Sequence, residues 1–115
     1  MYEVKVKGDF SGAHNLRNYK GACEALHGHN WHIEASVQSK TLNEHGMVMD
    51  FKDLRSALFR VLEGLDHKYL NDIPYFKKIN PTSENIARFI HEKMGTHFLK
   101  VSVWETRNSC ASFEK

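Results

Sequence analysis

Apolar and polar residues alternate along two segments of the chain, and this pattern predicts two half-buried β-strands. The first strand covers residues 2–10, where apolar side chains alternate with charged ones. The second covers residues 29–39, where Trp31 and Ile33 share one face and polar side chains take the other. Residues 11–26 between the strands show little periodicity, so we predict a loop there.

Apolar residues at helical spacing predict two amphipathic helices in the middle of the chain. Asp50 is placed to cap the first helix, because its carboxylate can accept from free N–H groups of the first turn. The second helix is predicted to begin near residues 81–84, after a long connection over residues 66–81 of the kind that often carries function. The apolar stripes are Phe51, Leu54, Leu58, Val61, Leu62 and Leu65 in the first helix, and Ile86, Phe89, Ile90 and Met94 in the second.

Alternation returns near the C-terminus, where Leu99, Val101 and Val103 share one face of a strand and residues 109–115 form a short last strand or tail. The predicted order is β-β-α-α-β-β, an α+β fold with a single domain over residues 1–115. In the simplest packing, two helices cover one face of a four-stranded antiparallel sheet. The open edges of such a sheet must be covered or paired, which favours a homo-oligomer.

Composition and charge exclude several classes of protein. The apolar share of 41% and the charged share of 26% are ordinary for a globular domain. A net charge of +2 without a run of Lys and Arg argues against nucleic-acid binding, and no apolar run approaches the roughly 20 residues of a membrane span. The charged N-terminus is unlike a signal peptide and two cysteines form no disulfide framework, so we expect a reduced, cytoplasmic protein.

The 8 histidines are the unusual feature of the composition, because His is the commonest metal ligand. His27 and His29 have the parity of Trp31, so both imidazoles should lie on the same face at the start of their strand. Two such side chains can share one Zn²⁺ ion, and His14 is the best third ligand if the first two strands pair. Three His ligands leave a fourth position open, as in catalytic zinc sites. The alternative is a set of polar residues at a sheet edge.

Three further positions carry candidate chemistry, each with a plain structural alternative. Cys23, four residues before His27, is a metal ligand, a reactive thiol or a small buried residue. Asp66 beside His67 is a candidate general-base pair, or it marks a helix end where the dipole favours His. Glu105 ends the apolar row of its strand, where its carboxylate either accepts two N–H donors from a ligand or turns out into solvent.

The other histidines and the flanking basic residues lack such context. Four histidines are predicted to lie at the surface: His32, His45, His91 and His97. Three basic residues near the site in sequence are predicted to be solvated loop charges rather than contacts for an anionic substrate: Arg17, Lys20 and Arg107.

Six motifs, in order, resemble the 6-pyruvoyl-tetrahydropterin synthase family over nearly the whole chain. They are FSGAHNL, CEALHGHNW, GMVMDFKDL, LDHKYLN, NPTSENIA and VWET. The short spacing C-x-x-x-H-G-H resembles the bacterial 6-carboxytetrahydropterin synthases of queuosine biosynthesis, whereas the animal pyruvoyl-forming enzymes have a longer gap. The pattern C-E-x-x-H-G-H also resembles bacterial members that carry both Cys and Glu and look bifunctional.

The resemblance implies the tunnelling fold, in which a four-stranded antiparallel sheet with two helices trimerises into a barrel and usually stacks as a hexamer. It also implies roles for single residues. His14, His27 and His29 match the zinc ligands, and Cys23 matches the catalytic thiol. Asp66 and His67 match the catalytic relay, and Glu105 matches the pterin anchor. Thr82 and Ser83 match contacts with the pterin ring, and Glu24 matches a second catalytic group.

The substrate implied by the resemblance is 7,8-dihydroneopterin triphosphate, and the implied products are 6-carboxy-5,6,7,8-tetrahydropterin, acetaldehyde and triphosphate, with Zn²⁺ as the cofactor. Glu24 leaves the product open, because a related branch makes 6-hydroxymethyl-7,8-dihydropterin for folate synthesis and another makes 6-pyruvoyl-tetrahydropterin. Two other classes of function also stand as alternatives. One is a non-catalytic zinc- or pterin-binding module, and the other is an interaction protein that uses its sheet edges.

Overall fold

The computed structural model describes all 115 residues and contains two α-helices and one five-stranded sheet. The elements are β1 Tyr2–His14, β2 His27–Ser39, α1 Phe51–Glu63, β3 Lys68–Tyr69, α2 Ser83–Met94, β4 Leu99–Thr106 and β5 Ser109–Glu114. Two single-turn 3₁₀ helices, Leu70–Asp72 and Pro74–Phe76, connect β3 to α2. Neither α-helix is both long and apolar enough to cross a membrane.

The first two strands form one long antiparallel pair. They pair along their full length, from Tyr2 opposite Ser39 to His14 opposite His27. β1 therefore runs on to His14, past the predicted end at residue 10, because residues 11–14 find backbone partners on β2. The pairing joins the two ends of the segment 15–26 at one end of the sheet.

The sheet has one strand more than the predicted four. β3 pairs in parallel with β1, with Lys68 opposite Gly12 and Tyr69 opposite Ala13. Two residues are too few to show an alternating pattern, so the sequence could not predict this strand. The strand forms because the folded chain passes beside β1. The four predicted strands are present and antiparallel, and the order across the sheet is β3-β1-β2-β4-β5.

Both helices begin at side-chain caps and cover the same face of the sheet. The carboxylate of Asp50 accepts from the N–H of Lys52 at 2.8 Å, and the hydroxyl of Thr82 accepts from the N–H of Asn85 at 3.1 Å. The helices and the sheet face they cover share one core, which includes Val6, Phe10, Trp31, Ile33, Leu54, Leu58, Leu62, Ile86, Ile90 and Val101.

Two predictions about single side chains are wrong. Phe51 is predicted in the apolar stripe of α1 but is 54% exposed, because it is the first residue of the helix and lies beyond the buried part of the stripe, which begins at Leu54. His91 was predicted at the surface but is buried on α2, with its Nε2 2.9 Å from the carbonyl oxygen of Leu99. Leu99 belongs to β4, so the pattern of α2 alone could not identify the acceptor that satisfies this ring.

Candidate metal and catalytic site

The pairing of β1 with β2 brings three imidazoles together at one end of the sheet. His14 ends β1 opposite His27, which begins β2, and Gly12 lies opposite His29. The ring centroids are 4.6 Å apart for His14 and His27, 4.8 Å for His27 and His29, and 5.4 Å for His14 and His29. His14 and His29 also contact the buried ring of Trp31. The three side chains therefore share the face on which the core is built.

Contacts with backbone carbonyl oxygens determine which nitrogen carries the hydrogen in two of these rings. Nδ1 of His14 lies 2.7 Å from the carbonyl oxygen of Pro81, and Nδ1 of His27 lies 2.9 Å from that of Ala25. Because a carbonyl oxygen only accepts, each Nδ1 carries the hydrogen and each neutral ring turns the lone pair of Nε2 into the cluster. The two Nε2 atoms are 3.0 Å apart. Two lone pairs at that distance repel unless a proton or a metal cation lies between them.

The third ring and a carboxylate complete the cluster. Nε2 of His29 is 2.8 Å from Oε1 of Glu105, but the carboxylate approaches outside the direction of a hydrogen bond, so this buried nitrogen has no hydrogen-bond partner. Burial lowers the pKa of His29, and the neighbouring His27 and His14 act in the same direction while Glu105 opposes them. A neutral imidazole with an unpartnered nitrogen is the form that binds a metal ion.

The spacing of the ligand atoms in the cluster fits a single metal ion. The four ligand atoms of His14, His27, His29 and Glu105 all lie within 4.8 Å of one another. Zinc binds imidazole nitrogen at about 2.0–2.1 Å, so two nitrogens on a tetrahedral ion are about 3.3 Å apart, close to the 3.0 Å between His14 and His27. The cluster can therefore bind a metal ion, and its imidazole content suits zinc better than magnesium or calcium.

Cys23 lies in the segment 15–26, which connects the two cluster-bearing strand ends. The side chain is exposed and its thiol makes no hydrogen bond. Cys23 is thus not a small buried residue, and the metal cluster is formed without it.

Glu24, next to the thiol, is held by the start of the same segment. Its N–H donates to the carbonyl oxygen of Leu16 at 2.8 Å, and its carboxylate accepts from the N–H of Leu16 at 3.2 Å. The same carboxylate oxygen is 3.7 Å from Nδ1 of His27, on the side of the ring that faces away from the cluster. Glu24 therefore supports the segment and lies behind the ring of His27.

Asp66 and His67 contact each other beyond the end of α1. Nδ1 of His67 is 3.0 Å from Oδ2 of Asp66, while Oδ1 of Asp66 accepts from the N–H of Ser11 at 2.9 Å. The hydrogen bond from Ser11 is the main reason that the pKa of Asp66 is lowered, and His67 acts in the same direction. Nδ1 of His67 lies beside this ionised carboxylate, and the negative charge favours a hydrogen on that nitrogen rather than on Nε2. His67 is 81% exposed and has a left-handed backbone with φ of 58°.

A groove that is open to solvent, with a volume of about 520 Å³, is bordered by both His29 and His67. Lys68 and Tyr69 of β3 form part of its wall. β3 pairs with the edge of β1 that faces away from β2, and His67 directly precedes it.

The turn before α2 supports the cluster through its backbone. Pro81 supplies the carbonyl oxygen that binds His14, an acceptor that sequence reasoning missed because a main-chain carbonyl leaves no mark in the residue types. Thr82 and Ser83, the expected contacts for the pterin ring, are both partly exposed. The hydroxyl of Thr82 is engaged as the cap of α2, where it accepts from the N–H of Asn85.

Arg17 is predicted to be a solvated loop charge, but in the structure its guanidinium is bonded to the main chain. Its guanidinium donates to the carbonyl oxygens of three residues in the segment 76–79. Its N–H donates to the side chain of Asn80 at 2.8 Å, and Asn80 donates back to the carbonyl oxygen of Arg17 at 3.1 Å. These acceptors lie 59 or more residues further along the chain, so sequence could not reveal them. Lys20 and Arg107 are exposed, as predicted.

Comparison with known proteins gives consistent matches along the whole chain. A family model described as 6-pyruvoyl tetrahydropterin synthase matches residues 3–115. The chain is 33% identical to the human 6-pyruvoyl tetrahydrobiopterin synthase, with 97% of this chain and 90% of that protein covered. It is 28% identical to the 6-carboxy-5,6,7,8-tetrahydropterin synthase of Haemophilus influenzae, with 100% of both chains covered.

A solved structure has the same architecture. The 6-pyruvoyl tetrahydropterin synthase of Caenorhabditis elegans aligns with a TM-score of 0.86 at 26% identity, over 99% of this chain and 95% of that one. The fold is therefore the tunnelling fold, as the resemblance implies, with the two-residue β3 beside its four antiparallel strands.

Proposed function

The chain belongs to the 6-pyruvoyl tetrahydropterin synthase family, and from that premise we propose that it converts 7,8-dihydroneopterin triphosphate into 6-carboxy-5,6,7,8-tetrahydropterin, acetaldehyde and triphosphate. The observation that carries the proposal is the convergence of three imidazoles and the Glu105 carboxylate at one end of the sheet. The short spacing from Cys23 to His27 favours the carboxylated product over 6-pyruvoyl-tetrahydropterin. Relatives named for both products match the chain, so the product is the part that needs an experiment.

The proposed metal is zinc, held by Nε2 of His14, His27 and His29. Bound there, zinc would supply Lewis-acid chemistry by polarising the side-chain oxygens of the substrate, so that neighbouring C–H bonds ionise more easily. Contacts within the protein already hold the three rings in a form that can bind zinc. Pro81 and Ala25 fix the tautomers of two ligands, and the lowered pKa of His29 keeps the third ligand neutral.

Two groups are proposed to move the protons. The thiolate of Cys23 would take a proton from the substrate side chain, and it is exposed at a strand connection that starts and ends at ligand residues. His67 would move the second proton through Nε2, because ionised Asp66 holds its Nδ1. Each positioned proton transfer is worth about 10²–10⁴-fold in rate.

Glu105 is proposed to anchor the pterin through the N–H edge of its ring, with Thr82 and Ser83 beside it. A carboxylate can accept two parallel N–H donors, so it fixes the ring in one orientation and presents the side chain to the metal in one register. Three imidazoles hold a catalytic zinc without a fourth protein ligand. Glu105, at 35% exposed, is then free to turn from the cluster toward the substrate.

The product spectrum from 7,8-dihydroneopterin triphosphate tests the proposed function. We expect zinc-loaded protein, purified without a His tag, to release triphosphate and acetaldehyde and to give 6-carboxy-5,6,7,8-tetrahydropterin as the main product on chromatography. If a 6-hydroxymethyl or 6-pyruvoyl product dominates, the chain catalyses that related reaction and the proposed carboxylated product is wrong. Absence of triphosphate release would support a non-catalytic zinc- or pterin-binding module, and absence of stoichiometric zinc would support an interaction protein.

Replacing Glu105 by glutamine separates its two possible roles, anchor and metal ligand. We expect Glu105→Gln to raise KM strongly while the zinc content stays at the wild-type level, because a neutral amide cannot accept two donors but three imidazoles still hold the ion. Steady-state kinetics and metal analysis on the same preparation measure both quantities. An unchanged KM together with lost zinc would rule out the anchor and make Glu105 a ligand.

We further propose that the chain works as a homo-oligomer, a trimer stacked into a hexamer, in the reducing cytoplasm. The two edge strands β3 and β5 each leave one side unpaired, which favours pairing with another copy. Both cysteines are unpaired, in keeping with a reducing compartment. Nothing in the proposed chemistry calls for nucleic acid or membrane.

A further inference from the structure

The segment 77–81 before α2 forms no helix or strand, yet it supplies the carbonyl oxygen that contacts His14. This oxygen belongs to Pro81 and lies 2.7 Å from Nδ1 of His14. The proline ring fixes φ of Pro81, so the direction of its carbonyl depends on ψ. The N–H of Thr82 donates to the carbonyl oxygen of Asn80 at 2.8 Å, which closes a three-residue turn around Pro81 and restricts that angle. The position of Asn80 therefore determines where the carbonyl of Pro81 points.

The side chain of Asn80 is held by the main chain of Arg17. Oδ1 of Asn80 accepts from the N–H of Arg17 at 2.8 Å, and Nδ2 of Asn80 donates to the carbonyl oxygen of Arg17 at 3.1 Å. The two bonds run in opposite directions, so the amide uses both its acceptor and its donor. Arg17 is three residues after His14. The pair therefore joins the end of the ligand strand β1 to the turn that carries Pro81.

The guanidinium of Arg17 holds the residues just before this turn. It donates to the carbonyl oxygens of Phe76, Lys77 and Ile79, so all of its hydrogen bonds go to the main chain of one segment. The planar fork of Arg can serve several acceptors at fixed positions, whereas the ammonium of Lys is a single point charge. Arg17 and Asn80 together form a clamp between the residues after His14 and the segment 76–81.

We propose that Arg17 and Asn80 are positioning residues for the metal ligand His14. The inference rests on the proposed function for the zinc centre, but on no step of the reaction. Neither side chain belongs to the metal cluster. The clamp acts through Pro81, whose carbonyl oxygen it holds against Nδ1 of His14, and that contact keeps Nε2 of the ring directed into the cluster.

Two substitutions loosen the clamp in different ways. Arg17→Lys keeps the positive charge but loses the fork, and Asn80→Ala removes both side-chain bonds to the main chain of Arg17. Loss of a partner that orients a metal ligand typically costs about 10–100-fold in metal affinity. The clamp lies one contact behind such a partner, so we expect each variant to bind zinc about 10-fold more weakly. Competition with a chromophoric chelator measures this affinity on metal-free protein, without substrate.

Two control variants separate positioning from a general loss of stability. Arg88→Lys makes the same substitution on an exposed part of α2, where the guanidinium donates to Glu92 at 2.9 Å. Val101→Ala removes volume from the buried face of β4 and should lower the free energy of unfolding. We expect both variants to keep the zinc affinity of the wild type. If the affinity falls in Val101→Ala as much as in the clamp variants, it merely follows stability and the positioning role is wrong.

Further variants of the same two positions keep the test decisive. If Asn80→Ala does not fold, Asn80→Asp keeps the acceptor for the N–H of Arg17, loses the donor and sets a charge against a carbonyl oxygen, and we expect the same weaker zinc binding. A direct contact between the charge of Arg17 and an anionic substrate is the competing explanation. In that case Arg17→Lys would bind zinc like the wild type and Arg17→Ala would change only KM, which would overturn the clamp.

The outcomes separate this inference from the proposed function. Wild-type zinc affinity in both Arg17→Lys and Asn80→Ala would mean that packing of the fully buried Pro81 is enough to place its carbonyl, and it would overturn the clamp alone. Suppose instead that the wild type binds zinc, that both variants bind it about 10-fold more weakly, and that no triphosphate is released from 7,8-dihydroneopterin triphosphate. That result would contradict the proposed reaction and support the clamp.

Discussion

Replacing Cys23 by alanine should abolish formation of the carboxylated pterin while the protein stays folded and loaded with zinc. The thiol is the proposed first base, and one positioned proton transfer accounts for about 10²–10⁴-fold in rate. Its exposed side chain makes no hydrogen bond, so its loss should not destabilise the fold. Turnover of 7,8-dihydroneopterin triphosphate, zinc content and the melting temperature are measured on one preparation.

The second cysteine of the chain serves as the control for this prediction. Cys110 is also exposed, but it lies on the edge strand β5 and its thiol has only long contacts with Ala111 and Ser112. Cys110→Ala should therefore keep full activity. Normal turnover by Cys23→Ala would remove the thiol from the mechanism and leave His67 as the base to examine.

Replacing His29 by alanine should remove zinc binding and activity together and leave the metal-free fold intact. His29 is the best of the three ligands for this test. His14 and His27 each hold a backbone carbonyl through Nδ1, so their loss would also disturb the turn at Pro81 or the segment at Ala25. Nε2 of His29 has no hydrogen-bond partner within the protein, so truncation there breaks no hydrogen bond.

The loss of zinc binding can be measured without activity. A ligand that binds only the folded state raises the free energy of unfolding, by about 2.7 kcal/mol at a free concentration of 100 times Kd. We expect zinc to raise the melting temperature of the wild type and to have a much smaller effect on His29→Ala. His45→Ala is the control, because that ring is 70% exposed and lies outside the cluster. An equal zinc-induced shift in both variants would contradict the assignment of His29 as a ligand.

Local rules on sequence predict much of this fold. Alternation places His27, His29 and Trp31 on one face, and pairing of the first two strands then brings His14 to them. The helix cap Asp50 follows from a residue type that accepts hydrogen bonds from a free first turn. Alternation and capping depend on neighbours a few residues away, so a short window of sequence contains the information for them.

The features that sequence reasoning missed depend on partners that are far away in the chain. The acceptor for His14 is the main chain of Pro81, the acceptors for Arg17 lie in the segment 76–79, and β3 exists only beside β1. The carboxylate of Glu105 lies against His29, whereas its parity alone allowed either a ligand contact or solvent. A main-chain group is the same in every residue type, so no composition or spacing identifies it as a partner.

By itself the sequence determined the order of the two helices and four of the five strands, the face on which His27 and His29 lie, and the family to which their motifs point, because each of these follows from the period of a strand or helix or from a local motif. Only the tertiary structure decided which ring nitrogens face the cluster, that Cys23 is exposed, and that Arg17 donates to the main chain of the segment 76–79. Those properties arise from contacts between distant segments, and such contacts exist only after the core has formed.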